Sequence, residues 1–187
     1  MTILAFNSYL ILLVLGSCVD QLDSDPFGSC PNPKKSNAID LKVTYSPFQG
    51  TGYSTDQDTV AIKDFSVNFE IVPELNSESY VGDLPGQLYA LSCIEAYSFK
   101  NISNIAVTLL APFHGLPVGT DISYLLQVNP ETTLNRYREF DNISIYLGAN
   151  LTIVPDNYEQ LKTRTFLFLK DGSKITVDST SPHLKIN

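Results

Sequence analysis

Apolar and polar positions alternate with a period of two along much of this chain. Ile39-Asp40-Leu41-Lys42-Val43-Thr44-Tyr45 carries its apolar side chains at odd positions, and Phe65-Ser66-Val67-Asn68-Phe69-Glu70-Ile71 does the same. Ile105-Ala106-Val107-Thr108-Leu109 and Ile143-Ser144-Ile145-Tyr146-Leu147 repeat the rule, and Leu151-Thr152-Ile153 continues it after Gly148. Alternation built from β-branched and aromatic residues predicts strands with one buried face. Tyr89-Ala90-Leu91-Ser92-Cys93 reads as a further strand with Cys93 turned inward.

The sharpest local signal lies near the C-terminus. Thr165–Lys170 meets Ser173–Val177 across Asp171-Gly172, a dipeptide that supplies the positive φ angles a tight hairpin needs. His183 to Ile186 adds a last edge segment. Helical signal is thin: Asp121–Leu126 predicts one short turn with Thr120 or Asp121 as its N-cap, and Tyr158–Lys162 another. Pro112, Pro117, Pro130 and Pro155 punctuate the intervening loops. About seven strands with almost no helix predict an all-β, antiparallel β-sandwich of immunoglobulin-like architecture, with a small β-barrel as the alternative. Trp is absent, so the immunoglobulin-like label rests on architecture only.

The N-terminus breaks this pattern. Ile3 to Leu15 is apolar apart from Asn7 and Ser8, and it ends in Leu15-Gly16-Ser17-Cys18. A membrane-spanning helix needs about 20 apolar residues, so this run is too short to span. It has the length of a secretion signal's apolar region. Residues 1–17 contain no Lys or Arg, whereas such signals usually begin with positive charge, so the signal is atypical or starts upstream. A plain secretion signal or a buried first strand are the alternatives. After Cys18, three Asp fall within Asp20–Asp25, followed by Pro26, Gly28, Pro31 and Pro33, a composition suited to a solvated tether. The expected layout is a signal peptide at 1–17, a tether at 18–37 and one β-sandwich domain at 38–187.

Leu15-Gly16-Ser17-Cys18 resembles the lipobox of bacterial lipoproteins. That resemblance implies cleavage before Cys18 and lipid attachment at its thiol. The acidic stretch that follows is similar to the surface-export signal of Bacteroidota lipoproteins. With the terminal hairpin Phe166–Val177, the layout resembles Bacteroidota-type lipoproteins made of a lipobox and a single β-rich domain. The resemblance implies a cell-envelope protein lipid-anchored to the outer membrane, facing either the periplasm or the exterior. It carries over no catalytic residues.

Composition narrows the remaining classes. The chain has 187 residues and a net charge of −8, which disfavours a nucleic-acid partner. Its three cysteines are an odd number for an exported protein. If Cys18 carries lipid, Cys30 and Cys93 remain either as a disulfide closing a long loop or as two unpaired thiols, with Cys93 buried and Cys30 in a loop. His114 and His183 stand far apart, no zinc-type spacing occurs, and His114 reads as a loop residue. No phosphate-cradling glycine loop or Gly-x-Ser-x-Gly motif is present, so no cofactor, metal or catalytic residue is expected. Asp56-Gln57-Asp58 offers oxygen ligands but reads as a solvated loop. Arg136 and Arg138 flank Tyr137 and could bind an anion or stack on a sugar, though a solvent-facing role fits them better. Tyr45, Tyr53, Tyr80, Tyr137 and Tyr158 sit near predicted loops, where tyrosines serve either packing or ligand stacking. Asn101, Asn142 and Asn150 each begin an Asn-x-Ser/Thr sequon, which keeps a eukaryotic secreted glycoprotein as a further alternative. Asn142 opens a segment expected to be partly buried.

The expected partners are the membrane, through the lipid, and a protein or glycan ligand. The expected role is a non-catalytic binding or adhesion module. A structural subunit of an envelope complex and a hydrolase with an unrecognised site are the alternatives. An aromatic groove would favour the first, an apolar exposed edge or face the second, and a deep pocket with convergent carboxylates the third.

Overall fold

The computed structural model describes residues 32–50, 52–74 and 94–186. Cys18, Cys30, Cys93, Tyr80 and the expected Tyr89–Cys93 strand lie outside the described residues. The fold is all-β and sandwich-like, and the described residues form no closed barrel. Among the described residues nine strands make two antiparallel sheets and four more make two short parallel pairs, which exceeds the seven or so that alternation predicts.

The larger sheet has the order β3-β2-β5-β10-β8-β9. It is built from β2 (Ala38–Gln49), β3 (Gly52–Ser54), β5 (Val67–Pro73), β8 (Leu126–Asn129), β9 (Thr132–Thr133) and β10 (Tyr146–Leu151). The smaller sheet, β12-β11-β7, contains β7 (Ile102–Leu109), β11 (Lys162–Leu169) and β12 (Lys174–Thr180). Two parallel pairs complete the domain: β1 (Lys34–Ser36) with β6 (Tyr97–Phe99), and β4 (Thr59–Ala61) with β13 (His183–Lys185). The pairing of β1 carries the folded domain into the end of the segment expected to be tether.

Inward side chains of both sheets form one core. Leu41, Tyr45, Val67, Phe69 and Ile71 come from the larger sheet, and Ile105, Val107, Leu109 and Leu167 from the smaller. Burying each such side chain stabilises the fold by about 1.5–3 kcal/mol before ordering costs. The inward lane of β11 also carries two hydroxyls, Thr163 and Thr165. Thr163 is bonded through Ser179, whereas the Thr165 hydroxyl is buried without a hydrogen-bond partner.

Alternation holds from Phe65 to Ile71 and from Ile105 to Leu109, but it fails at the start of β2. Ile39 is 55 % exposed, while Ala38 and Leu41 are both buried. The register against β5 shifts between Ala38 and Asp40. A bulge inserts one residue on one strand, and a one-residue slip turns the preceding side chains to the opposite face. Ile143 and Ile145 are only half-buried, since regular pairing starts at Tyr146, and Asn142 is exposed in a left-handed conformation (φ 53). Ile153 lies beyond the end of β10.

The hairpin forms as expected, but through a longer turn. Gly172 N donates to the Leu169 carbonyl (3.1 Å), and Leu169 N donates to the Ser173 carbonyl (2.9 Å). Lys170, Asp171 and Gly172 therefore make a three-residue loop in which Gly172 takes the left-handed conformation (φ 88). Asp171 contributes by accepting hydrogen bonds from Ser173 N and Oγ, not by a positive φ. The turn near Asp121 is a 3-10 turn, Ser123–Leu125, whose entry is held by Ser123 N donating to Asp121 Oδ1 (2.8 Å). No helix forms at Tyr158–Lys162: Tyr158 sits in a turn at φ 65 and Lys162 opens β11.

Asn101 acts as a strand partner. Its Oδ1 accepts from Ala38 N (2.8 Å) and its Nδ2 donates to the Ala38 carbonyl (2.9 Å). One side chain thus satisfies both backbone groups where β2 begins.

Candidate functional site

A groove of about 560 Å3 opens where β2 and β3 approach β12. Its floor is set by Tyr45, whose ring stacks on Phe65 at 5.8 Å and whose hydroxyl lies 2.7 Å from Ser179 Oγ. Ser179 Oγ in turn lies 3.1 Å from Thr163 Oγ1. Burial pushes the Tyr45 phenol pKa up despite these hydroxyl contacts, so the ring stays neutral. The sequence builds this floor by placing hydroxyl residues at inward positions of β11 and β12 opposite an inward tyrosine of β2.

The walls are polar and aromatic. Tyr53, Thr55 and Asp56 line one side, and Lys162, Asp178 and Thr180 the other. Beyond Tyr45 the register of β2 against β3 shifts, and Phe48 and Tyr53 then face each other directly. Their rings meet edge to face at 5.2 Å, and Phe48 is 59 % exposed. Arg164 grips Asp178 with two bonds of 2.7 Å, which hold that carboxyl below the usual aspartate range. Aromatic area, hydroxyls, carboxylates and an amine around one trough suit a ligand that both stacks and hydrogen-bonds.

The remaining candidates fall elsewhere. Arg138 lines a second, charged depression of about 470 Å3 with Lys100, Lys170, Glu139 and Asp141. There Lys100 pairs with Asp141 (3.9 Å), and the Arg138 guanidinium donates to the Tyr137 carbonyl (2.7 Å). Arg136 ends a 3-10 turn, and Tyr137 packs edge-on against Phe140 at 5.3 Å. Asp58 closes its own loop by accepting from Thr55 N (2.7 Å) and Oγ1 (2.8 Å). Tyr158 is 52 % exposed, outside the groove.

Neither histidine lines the groove. His114 sits in a left-handed loop position (φ 46), and its backbone N donates to Glu159 Oε1 (2.7 Å). His183 Nδ1 lies 3.0 Å from the Tyr158 carbonyl. The histidine-bearing segments therefore converge on the Tyr158–Glu159 turn, a tertiary contact that no local signal announces. Among the described residues no group of three or more His, Cys, Asp or Glu is placed to hold a metal ion. No helix among them is long and apolar enough to cross a membrane.

Of the tyrosines singled out by position, the groove brings together Tyr45 and Tyr53. Lys162, Asp178 and Ser179 join them unannounced by any local signal in the sequence. The chain matches no known protein family, no curated protein and no solved structure.

Proposed function

We propose that this protein is a lipid-anchored, non-catalytic binding module of a bacterial cell envelope, held at the outer membrane through Cys18. The observation that carries the binding role is the groove walled by Tyr53 and floored by Tyr45. Its ligand is a glycan or an extended peptide, since both present flat apolar faces beside hydrogen-bonding groups. Tyr53, with Phe48 packed against it, supplies stacking area at low entropic cost, while Asp56, Lys162 and Ser179 supply directional contacts. The order of apolar run, small residues and Cys18 supports the anchor. Two acyl chains hold a protein at a membrane durably, whereas one holds it marginally.

The experiment has two readouts. Mass spectrometry of the mature chain from membranes should find an N-terminal Cys18 carrying acyl groups; an unmodified Cys18, or cleavage elsewhere, overturns the anchor. Screening the folded protein on glycan and peptide arrays should give a binder whose affinity drops tenfold or more in Tyr53→Ala. Undiminished binding by that variant removes the groove from the reading. A second reading, a subunit of an envelope complex, is favoured by the outer face of the smaller sheet. There Phe166 and Phe168 stack at 5.8 Å with Lys174 Nζ 5.0 Å above the Phe166 ring.

A further inference from the structure

β12 is an outer strand of the smaller sheet, and its pairing with β11 fixes which of its backbone groups point outward. Leu169 N donates to the Ser173 carbonyl at the hairpin end (2.9 Å), and Ser181 N donates to the Leu161 carbonyl at the other end (2.9 Å). Both bonds share the register that joins Phe168 to Lys174 and Lys162 to Thr180. Opposed pairs of an antiparallel ladder alternate between hydrogen-bonded and non-hydrogen-bonded. Odd-numbered residues of β12 therefore bond to β11, and Lys174, Thr176 and Asp178 turn their N–H and C=O groups to the outer edge. Among the described residues no hydrogen bond engages those groups.

The other edges of the two sheets are blunted. β3 and β9, which end the larger sheet, have three and two residues. β7, the second outer strand of the smaller sheet, is covered by the segment 120–123. Leu109 N donates to the Thr120 carbonyl (3.0 Å), Ile122 N donates to the Val107 carbonyl (2.8 Å), and Val107 N donates to Ser123 Oγ (2.8 Å). β12 has seven residues, no proline and, among the described residues, no strand on its outer side. Short or covered edges keep a sheet from pairing with another chain, whereas a long open edge is a template for it.

The side chains of β12 say which strand fits. Lys174, Thr176 and Asp178 are exposed on the outer face, and Ile175 and Val177 are half-buried on the inner one. An antiparallel second copy, related by a two-fold axis at Thr176, sets Thr176 opposite itself and Lys174 opposite Asp178 on both sides. These are the residues whose backbone groups face the edge, so every such pair is hydrogen-bonded, with about six bonds in all. Ile175 falls opposite Val177. Threonine pairs and opposite charges are favourable directly across strands, and like charges are not. Moving the axis to Lys174 or to Asp178 sets like charges face to face, and moving it to Ile175 or Val177 leaves Lys174 opposite a threonine. The Asp178 carboxylate keeps its two bonds from Arg164 and still has lone pairs for the second copy's lysine.

We propose that β12 pairs with β12 of a second copy of this chain, antiparallel about a two-fold axis at Thr176, so that two three-stranded sheets become one of six. The interface is isologous and closes on itself as a dimer. It stands on the geometry of the edge, independently of the lipid anchor and of any ligand in the groove. One strand edge of this length makes a small interface, so association is in the micromolar range.

The test uses the full chain. Sedimentation equilibrium should show a monomer–dimer equilibrium with a micromolar dissociation constant. The Thr176 and Asp178 amides should exchange with deuterium at least tenfold more slowly in concentrated than in dilute samples. Lys174→Asp and Asp178→Lys each set like charges across both flanking pairs, and each alone should weaken association tenfold or more. Mixed in equal amounts, the two variants should associate again, since one then offers Asp at both positions and the other Lys. Thr176→Pro removes an outward N–H and no bond to β11, so it should abolish the dimer while the circular dichroism of the fold is kept. A monomer at every concentration up to about 1 mM overturns the proposal. So does a dimer that these variants leave intact, or a mixture of the folded charge variants that associates no better than either alone. A Thr176 amide protected equally at every dilution also overturns it, because the edge is then covered within one chain.

Discussion

The β11–β12 hairpin and the two parallel pairs are held in place by different means. The hairpin matches seven positions on each strand across a three-residue loop, so its register is set by its own turn. Each parallel pair matches only three positions, joining residues 63 apart in β1–β6 and 124 apart in β4–β13. Such pairs close long loops for little local gain, so the rest of the domain must position them first. Stability is therefore expected to be distributed unevenly: deep in the smaller sheet, shallow at the parallel seams.

The largest effect should come from Leu167→Ala in β11. Leu167 is fully buried, and the truncation should cost about 3–4 kcal/mol in denaturant unfolding. Leu184→Ala removes an equally buried side chain from β13. It should cost less, about 2 kcal/mol, because a three-residue terminal strand can open locally. Amides of β13 should likewise exchange with deuterium well before those of β11. Equal losses and equal exchange would break the comparison.

Asn101→Ala should come next, at about 1–3 kcal/mol, because it orphans the N–H and carbonyl of Ala38 together. Asn101→Asp keeps only the acceptor and should recover little of that loss. Gly172→Ala should cost about 1 kcal/mol, and that cost is conformational. The added Cβ meets nothing within 4 Å, but φ is +88. Thr165→Val should raise stability by about 1 kcal/mol, since it replaces a buried hydroxyl lacking a partner with a methyl of similar shape.

The smallest effects are pH-dependent. The Arg164 guanidinium holds Asp178 below the ordinary aspartate range. The stability this contributes is complete above that range and is lost as pH falls through the folded-state value. Asp178→Asn should lower stability slightly at neutral pH, leave it nearly unchanged in acid, and so flatten the acid limb of the stability curve. Tyr45 has the opposite sign. Burial raises its pKa, so its contribution is complete below the ordinary tyrosine range and is lost as pH rises through the folded-state value. Tyr45→Phe should remove that alkaline loss, as read by unfolding at high pH.

What the sequence made legible follows the same division. Phe65–Ile71, Ile105–Leu109 and the Asp171-Gly172 hairpin announce themselves because their periodicity and turn chemistry are local. The bulge before Leu41 does not, since nothing in Ala38-Ile39-Asp40 marks an extra residue in the ladder. Neither do β1 and β4, whose three residues each are too few for a period to be counted. Tyr53 was visible as a loop tyrosine. Lys162, Asp178 and Ser179 were not visible as its neighbours, because only the packing of β12 beside β2 brings them there.

Asn101 has a practical consequence for anyone producing this protein. Asn101-Ile102-Ser103 is a substrate sequence for the oligosaccharyltransferase of eukaryotic secretory cells, which acts on nascent polypeptide. A sugar joined to Nδ2 would replace one of its hydrogens and set a bulky polar branch against the start of β2. Yeast or mammalian secretion would thus yield misfolded material unless Asn101 escapes modification. Replacing Ser103 with alanine abolishes the acceptor while leaving the amide that Ala38 requires.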